Sequence, residues 1–333
     1  MPVPMPFETH SLLWRVDRAL RQGRLVLHYQ PKVDLITGRV TAVEALVRWC
    51  DPKRGLVLPD EFVPAVEDSR LVGAFNRYVL SMAIRQARMW QLSGRPVPVA
   101  VNLTAECLED PELVLEIQRM LAEAELPPEL LRLEITERAF THLGEQAQEA
   151  MELFVSSGIS VAIDDFGVGH SSMARLVRLP VDVLKIDRAF VTPMATDDRS
   201  AVVVRAAIDI AHSLGLKAVA EGVESEQVWR HLRLLGCDWA QGFLISRPVP
   251  PEEILRYLDP AEPSSLRRLI EATRRPMLGE RRAQTMENLT VRGIIDRLDW
   301  VATAIERRRQ DELRRLAAAT AGGARVTLRR HCA

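Results

Sequence analysis

Eight short apolar segments recur through the first 250 residues of the chain. They read LVLHYQP, VTAVEALVRW, VPVAVNLT, LRLEITE, SVAIDDFG, VDVLKIDR, KAVAEGVE and WAQGFLIS. Runs rich in Val, Ile, Leu and Ala are typical of strands that are buried on both faces. From the second segment onward they alternate with helix-like stretches, namely Phe75–Gln91, Pro111–Glu125, Gly144–Ser156, Arg199–Leu214 and Gln227–Leu235. This alternation predicts a parallel β-sheet.

The number of segments favours an α/β fold of the closed (β/α)8, TIM-like barrel type. A doubly wound open sheet is the competing fold, but no GxGxxG follows the first segment and no GxxxxGK[ST] occurs. Only LITGR separates the first two segments, which is too short for a parallel crossover. We therefore expect a barrel whose first strand is antiparallel.

Composition divides the chain into three parts. Residues 1–9 are short and Pro-rich and are expected to be flexible, residues 10–258 form the barrel, and residues 259–333 form an Arg-rich helical extension. Residues 261–333 hold 16 Arg, no Lys and 9 acidic residues, a net of +7, so residues 1–260 carry −8 of the total of −1. The extension is therefore a separate element.

The extension carries a short apolar stripe. Its members, spaced three and four apart, are Val291, Ile294, Leu298, Val301 and Ile305. The stripe spans fewer than three heptads, which is too short to indicate a coiled coil. It predicts a helix that packs on its own barrel, self-associates or binds a protein partner. Contact of the arginines with nucleic acid or an anionic membrane is a weaker alternative, since acidic residues are interspersed, and no DNA binding is expected.

No apolar run approaches the ~18 residues of a membrane span, and no secretory leader is recognisable. The four cysteines, Cys50, Cys107, Cys237 and Cys332, lack zinc-like spacing and are expected to be reduced. A cytoplasmic location is the corresponding prediction.

Polar residues cluster at the carboxyl ends of the predicted strands, where the active site of such a barrel lies. They are Glu44, Arg48, Asn102, Glu134, Glu137, Asp164, Asp165, Lys185, Asp187, Glu221, Glu224 and Gln241. A single acid here is equally well explained by a salt bridge at the barrel end. Acids on five strands would repel one another unless a multivalent cation held them.

Oxygen ligands with an amide and without His or Cys favour Mg²⁺ or Mn²⁺ over zinc. The adjacent carboxylates Asp164 and Asp165 suit two ions, since one carboxylate could bridge both ions while the other reaches the second as the strand bends into its loop. Two such cations suit phosphodiester hydrolysis, and Lys185 and Arg48 add positive charge for the phosphate oxygens. A two-carboxylate glycosidase is the alternative, but the excess of acids and the Asn and Lys on the strands argue against it.

At these residues the sequence resembles the EAL-domain family of cyclic di-GMP phosphodiesterases. The motifs are EALVRW, preceded by YQP and followed in order by VNLT, LEITE, DDFGVGHSS, LKIDR, AEGVE and QGF, over about residues 10–258. The resemblance implies a barrel with an antiparallel first strand that converts cyclic di-GMP to linear pGpG with two Mg²⁺ or Mn²⁺ ions. It also implies a homodimer.

The resemblance assigns roles residue by residue. One metal would be held by Glu44, Asn102, Glu134 and Asp164, and the second by Asp164 and Asp165. Lys185 would position the attacking water, with Glu221 as the candidate general base. The substrate site would be lined by Gln30, Leu46, Arg48 and Gln241. The loop after the fifth strand, which links metal binding to the dimer interface in such proteins, would be anchored by Glu137 and shaped by Gly167 and Gly169.

Some family members are inactive receptors or partner-binding regulators, and this is the rival hypothesis. Here every acidic and amide position of the family site is filled. The departures are in the loop, where Val168 replaces the usual Thr or Ala and His170 the usual aromatic residue. They bear on how the loop couples to dimerisation and leave the metal site intact.

Overall fold

The computed structural model describes residues 6–142, 144–168 and 176–258. The predicted extension, residues 259–333, lies outside these ranges, as do Gly169 and His170. The first helix begins at Pro6, inside the segment 1–9 that the sequence sets apart. Proline is tolerated there because the first N–H groups of a helix have no intrahelical acceptor.

A closed barrel is built from eight of the nine strands in the described ranges. The strands are β1 (Leu25–Asp34), β2 (Val40–Asp51), β3 (Gly55–Val57), β4 (Val99–Asn102), β5 (Leu131–Thr136), β6 (Ser160–Phe166), β7 (Val183–Ile186), β8 (Lys217–Ala220) and β9 (Trp239–Ala240). The sheet order is β1-β9-β8-β7-β6-β5-β4-β2-β3, and pairing of β1 with β2 closes it. β1 runs antiparallel to both neighbours, whereas the ladders from β2 through β4 to β9 are parallel. The predicted barrel with an antiparallel first strand is confirmed.

Helices surround the barrel. They are α1 (Pro6–Arg21), α2 (Val63–Glu67), α3 (Val72–Leu92), α4 (Ala105–Leu108), α5 (Pro111–Glu123), α6 (Glu137–His142), α7 (Glu145–Ser156), α8 (Arg188–Val191), α9 (Asp198–Ser213), α10 (Glu226–Leu234) and α11 (Pro251–Leu258). The five predicted helices correspond to α3, α5, α7, α9 and α10 within three residues at each end. Their starts carry local signals such as Asp110, Asp197 and Ser225, whose side chains accept hydrogen bonds from the first turn.

The barrel interior contains two kinds of layer. The lower layer is defined as Arg132, Ala162, Val183, Val219 and Trp239. Its last four members form an apolar cluster, and the Arg132 guanidinium lies 4.8 Å from the centre of the Trp239 ring. An upper layer, defined as Glu134, Asp164, Lys185, Glu221 and Gln241, follows two residues later on the same five chain segments. Because side chains two apart in a strand share a face, both layers point inward.

The last predicted strand, WAQGFLIS, is shorter than the sequence suggests, since regular pairing ends at Ala240. Gly242 lies against the chain of Val223, where a Cβ atom would come within 2.2 Å of the Val223 carbonyl oxygen. The backbone bends here while the Gln241 N–H still donates to the Ala220 carbonyl at 2.9 Å. The ladder thus carries Gln241 to the upper layer before the chain turns away.

Among the described residues, no helix combines the length and apolar character needed to cross a bilayer. The helix α3 is long but amphipathic, with one face buried against the barrel through residues such as Leu80 and Ile84. Its length therefore reflects packing on the sheet.

Candidate active site

The ammonium group of Lys185 lies at the centre of the upper layer. Its Nζ is 2.6 Å from Glu134 Oε2, 2.7 Å from Glu221 Oε1, 2.9 Å from Asp164 Oδ2 and 3.6 Å from Glu44 Oε2. Lys185 is only 1% exposed. Burial lowers the pKa of Lys185, but the four carboxylates outweigh it and hold the pKa well above its usual value. Carboxylates from four strands therefore converge on one charged nitrogen.

Amide side chains fix the carboxylate of Glu44. Asn102 Nδ2 donates to Glu44 Oε1 at 2.9 Å, and Gln241 Nε2 donates to Glu44 Oε2 at 2.8 Å and to Gln30 Oε1 at 2.9 Å. Burial raises the pKa of Glu44, but Lys185, Lys32 and the two amide hydrogen bonds together hold it at about 2. Glu44 is thus a fixed, ionised carboxylate. Gln30 in turn donates to the Ser246 carbonyl at 2.9 Å.

Lys32 is a site residue that the sequence analysis missed. It lies on β1 two residues after Gln30, so both side chains face the barrel interior. Its ammonium group pairs with Glu134 and lies 3.8 Å from Glu44 Oε2, and the residue is 2% exposed. The signal available in the sequence was a lysine at an inward position of a buried strand.

The strand β6 bends between Asp164 and Asp165. Asp165 has φ +56°, a left-handed conformation that is uncommon for a residue other than glycine, and the β6–β7 register shifts between Ile163 and Phe166. The bend turns Asp165 out of the strand's alternation, and its N–H donates to Asp164 Oδ1 at 2.8 Å. Both adjacent acids can therefore face one space.

Three carboxylates at this bend fit a bound cation. Asp164, Asp165 and Glu221 each offer an oxygen, and these oxygens lie within 4.8 Å of one another. Burial and the neighbouring Asp164 raise the pKa of Asp165 to about 7, with a further contribution from Asp187. Burial raises the pKa of Glu221 to about 8, with further contributions from the charges of Asp164 and Glu44. These effects outweigh Lys185, which lowers the pKa. Crowded negative charge surrounded by oxygen donors is what a hard divalent cation relieves.

Glu137, the predicted loop anchor, contacts the first residue after β6. Glu137 Oε2 accepts a hydrogen bond from the Gly167 N–H at 2.7 Å, and Glu137 is 3% exposed. Gly167 has φ +104°, and a Cβ atom there would come within 2.9 Å of the Phe190 ring, so a larger residue would be strained. Gly169, the second predicted loop glycine, lies outside the described residues.

Two further predicted substrate residues, Leu46 and Arg48, lie on β2. Leu46 and Arg48 follow Glu44 at intervals of two and therefore share its inward face. The Arg48 guanidinium donates to the Val47 carbonyl at 2.8 Å, and the residue is 7% exposed. Both lie further along β2 than Glu44, toward the carboxyl ends of the parallel strands.

Comparison with known proteins places this geometry in a family. The sequence model of the EAL domain matches residues 15–248, which is more than half of the chain. The chain belongs to the EAL domain family. The bifunctional diguanylate cyclase/cyclic di-GMP phosphodiesterase MucR of Pseudomonas aeruginosa is 40% identical over 249 residues, covering 74% of this chain and 36% of that protein.

Two further comparisons support the assignment. The cyclic di-GMP phosphodiesterase NbdA of Pseudomonas aeruginosa is 41% identical over 72% of this chain and 31% of its own length. Among solved structures, the PaMucR phosphodiesterase in complex with c-di-GMP has a TM-score of 0.70 at 40% identity, covering 73% of this chain and 99% of that one. This chain thus spans about a third of the length of these curated relatives.

The EAL domain brings most of the predicted site residues together. The upper layer, with Glu44, Asn102 and Gln30, forms one connected set of hydrogen bonds and ion pairs. Asp165 joins this set because its carboxylate lies within 4.8 Å of those of Asp164 and Glu221. Glu137 is hydrogen-bonded to Gly167, directly after β6. Leu46 and Arg48 lie further along β2, where the charge of Arg48 interacts with that of Glu44.

Proposed function

We propose that this EAL domain is an active, metal-dependent phosphodiesterase that hydrolyses cyclic di-GMP to linear pGpG. The observation that carries the proposal is the intact set of oxygen ligands around Lys185, with Asp164, Asp165 and Glu221 within reach of one cation. The relatives named as cyclic di-GMP phosphodiesterases and the solved complex with c-di-GMP support the choice of substrate. Removal of the nucleotide from the cellular pool is the signalling role we infer.

The residues present fit two Mg²⁺ or Mn²⁺ ions. We assign Glu44, Asn102, Glu134 and Asp164 to one ion and Asp164 with Asp165 to the second. Bound there, the ions would supply activation of water, neutralisation of the phosphate charge and the positive charge that keeps Asp165 and Glu221 ionised. Every ligand atom in this assignment is an oxygen, which favours Mg²⁺ or Mn²⁺ over zinc.

The protein's own groups have distinct tasks in the reaction. Lys185 Nζ, fixed by its carboxylates, holds the attacking water, and a Glu221 oxygen accepts its proton. The water oxygen bonds to phosphorus, the bond from phosphorus to one 3′ oxygen breaks, and that oxygen takes a proton to become a hydroxyl. Arg48 binds a phosphate oxygen, while Leu46, Gln30 and Gln241 line the nucleotide site.

A chromatographic assay tests the proposal. The chain of residues 1–333 is incubated with cyclic di-GMP and Mn²⁺ or Mg²⁺, with and without EDTA, and pGpG is followed. We expect EDTA-sensitive formation of pGpG that is lost in Glu44→Gln and Asp164→Asn. Glu145→Gln, at an exposed position at the start of α7, is the matched control and should retain activity.

Other outcomes would contradict the proposal in different ways. Tight nucleotide binding without product in folded protein would support the receptor alternative. Product formation that survives in both Glu44→Gln and Asp164→Asn would refute the site assignment. The homodimer, a protein partner for the extension and the cytoplasmic location remain predictions, which sedimentation, pull-down and fractionation would test.

A further inference from the structure

A basic groove lies on the outside of the barrel, between α1 and the β2–β3 hairpin. We define it by Arg15, Arg18, Arg24, Lys53 and Arg54, with Asp51 as its acidic member. Its volume is about 630 Å³, within the range of small-molecule sites. Five cations and one carboxylate give the groove a net charge of +4, on a barrel whose residues 1–260 carry −8.

Three of these cations are available to a ligand. Among the described side chains, no carboxylate lies within ion-pair distance of Arg18, Arg24 or Lys53. Asp51 instead accepts from Arg15 Nη2 at 2.6 Å and from the N–H groups of Lys53 and Arg54 at 2.8 and 3.0 Å. Asp51 therefore fixes the backbone of the turn that carries Lys53, and it does not form an ion pair with the Lys53 ammonium group.

Two tryptophans complete the groove. Trp14 is 62% exposed, and the Arg18 guanidinium lies 5.6 Å from its ring. Trp49 is 2% exposed, and the Arg15 guanidinium lies 4.8 Å from the centre of its ring. The buried ring supports a wall of the groove, whereas the exposed indole offers a free face on which a flat base can stack.

The walls of the groove are fixed before any ligand binds. Val16 and Ala19, at 1% and 2% exposed, anchor α1 to the barrel. The ion pair of Arg15 with Asp51 ties the helix to the end of β2. A preformed site loses less conformational entropy on binding than a mobile one does.

We propose that the basic groove binds a nucleoside polyphosphate, with the base stacked on Trp14 and the phosphates held by Arg18, Arg24 and Lys53. Three free cations match the charge of a diphosphate or triphosphate chain. A long nucleic acid is disfavoured because the barrel beyond the groove is negatively charged. This site is separate from the catalytic opening, since Trp49 faces outward whereas its neighbour Arg48 faces inward.

Calorimetric titration of the full chain in EDTA tests this proposal without relying on turnover. GTP and ATP are the probes, with guanosine and inorganic tripolyphosphate as partial ligands. We expect GTP or ATP to bind, and the Arg18→Gln/Lys53→Gln double variant to weaken that binding at least about tenfold. The charge-matched control Arg39→Gln/Arg119→Gln, at exposed arginines outside the groove, should bind as the wild type does.

The base and the location are tested with two further variants. Trp14→Ala should weaken the binding of GTP or ATP but leave the affinity for tripolyphosphate unchanged. Arg48→Ala should leave the affinities for the nucleotides and for tripolyphosphate unchanged. Absence of GTP and ATP binding at millimolar concentration overturns the proposal. So does binding that is lost in Arg48→Ala and kept in the groove double variant, because the ligand would then occupy the catalytic opening. Thermal unfolding and cyclic di-GMP hydrolysis of the groove variants serve as checks of folding and should match the wild type.

Discussion

The upper and lower layers of the barrel interior lie two residues apart on the same five chain segments, yet they have opposite chemistry. Below, Ala162, Val183 and Val219 pack with Trp239. Above, a buried lysine is surrounded by carboxylates. The lower layer gives stability through burial, whereas the upper layer holds like charges together at a cost in free energy. Changes in the two layers should therefore separate activity from stability.

Removal of the central cation should have the largest effect. Lys185→Met leaves four carboxylates without their common partner and removes the group that we propose holds the attacking water, so kcat should fall by about 10³-fold. The same pGpG assay measures it. Lys217→Met on neighbouring β8 is the control, since this lysine is exposed at the barrel's lower rim. A kcat of Lys185→Met within tenfold of the wild type would remove Lys185 from the mechanism.

A cavity in the lower layer should cost stability alone. Val219→Ala removes two buried methyl groups, and the free energy of unfolding should fall by about 2 kcal/mol. Urea unfolding measures the change, and kcat should stay within about twofold. Val202→Ala, 47% exposed on α9, is the matched control and should change stability little. Large loss of activity in Val219→Ala would mean that the layers are not independent.

Loss of the second lysine should sharpen the role of the upper layer. Lys32→Met removes a positive charge beside Glu134 and Glu44, so Mn²⁺ should bind about tenfold more tightly. Calorimetric titration of metal-free protein measures the affinity, with Lys217→Met as the control. Weaker Mn²⁺ binding in Lys32→Met would show instead that Lys32 organises the acids for the metal.

The smallest effect is expected below the lower layer, at the rim. Asp238 accepts from Lys217 Nζ at 2.6 Å and from the Ala218 N–H at 3.0 Å, and contacts His212 Nε2 at 2.7 Å. Burial raises the pKa of Asp238, but these hydrogen bonds outweigh it and lower the pKa below its usual value. Asp238→Asn should therefore lower the free energy of unfolding by about 1 kcal/mol at neutral pH.

The pH dependence of that effect has a definite sign. Because the folded-state pKa of Asp238 is depressed, its contribution is fully present above the unfolded value of about 4 and is lost as pH falls through the folded pKa. Unfolding curves of wild type and Asp238→Asn should converge at acid pH. Asp209→Asn, whose side chain is 58% exposed, is the control. A difference that persists unchanged in acid would mean that the Asp238 charge is not its source.

The sequence determined the barrel and predicted most of the residues that converge at the candidate site. Apolar runs at strand spacing predicted the sheet, and the short LITGR connection required β1 and β2 to be antiparallel because no parallel crossover fits in it. Acids at strand ends marked one edge of the barrel, since the carboxyl ends of parallel strands meet there. These features are local in the chain and can be read from spacing and residue type.

Only the tertiary structure decided which groups meet. Lys32 and Glu134 are 102 residues apart, and their pairing depends on barrel closure. The turn of Asp165 out of β6 and the end of β9 at Gly242 depend on neighbouring chains, which a strand pattern does not contain. The basic groove likewise joins α1 to the β2–β3 hairpin. Long-range contacts are set by closure and packing of the whole sheet, so no single segment of the sequence reveals them.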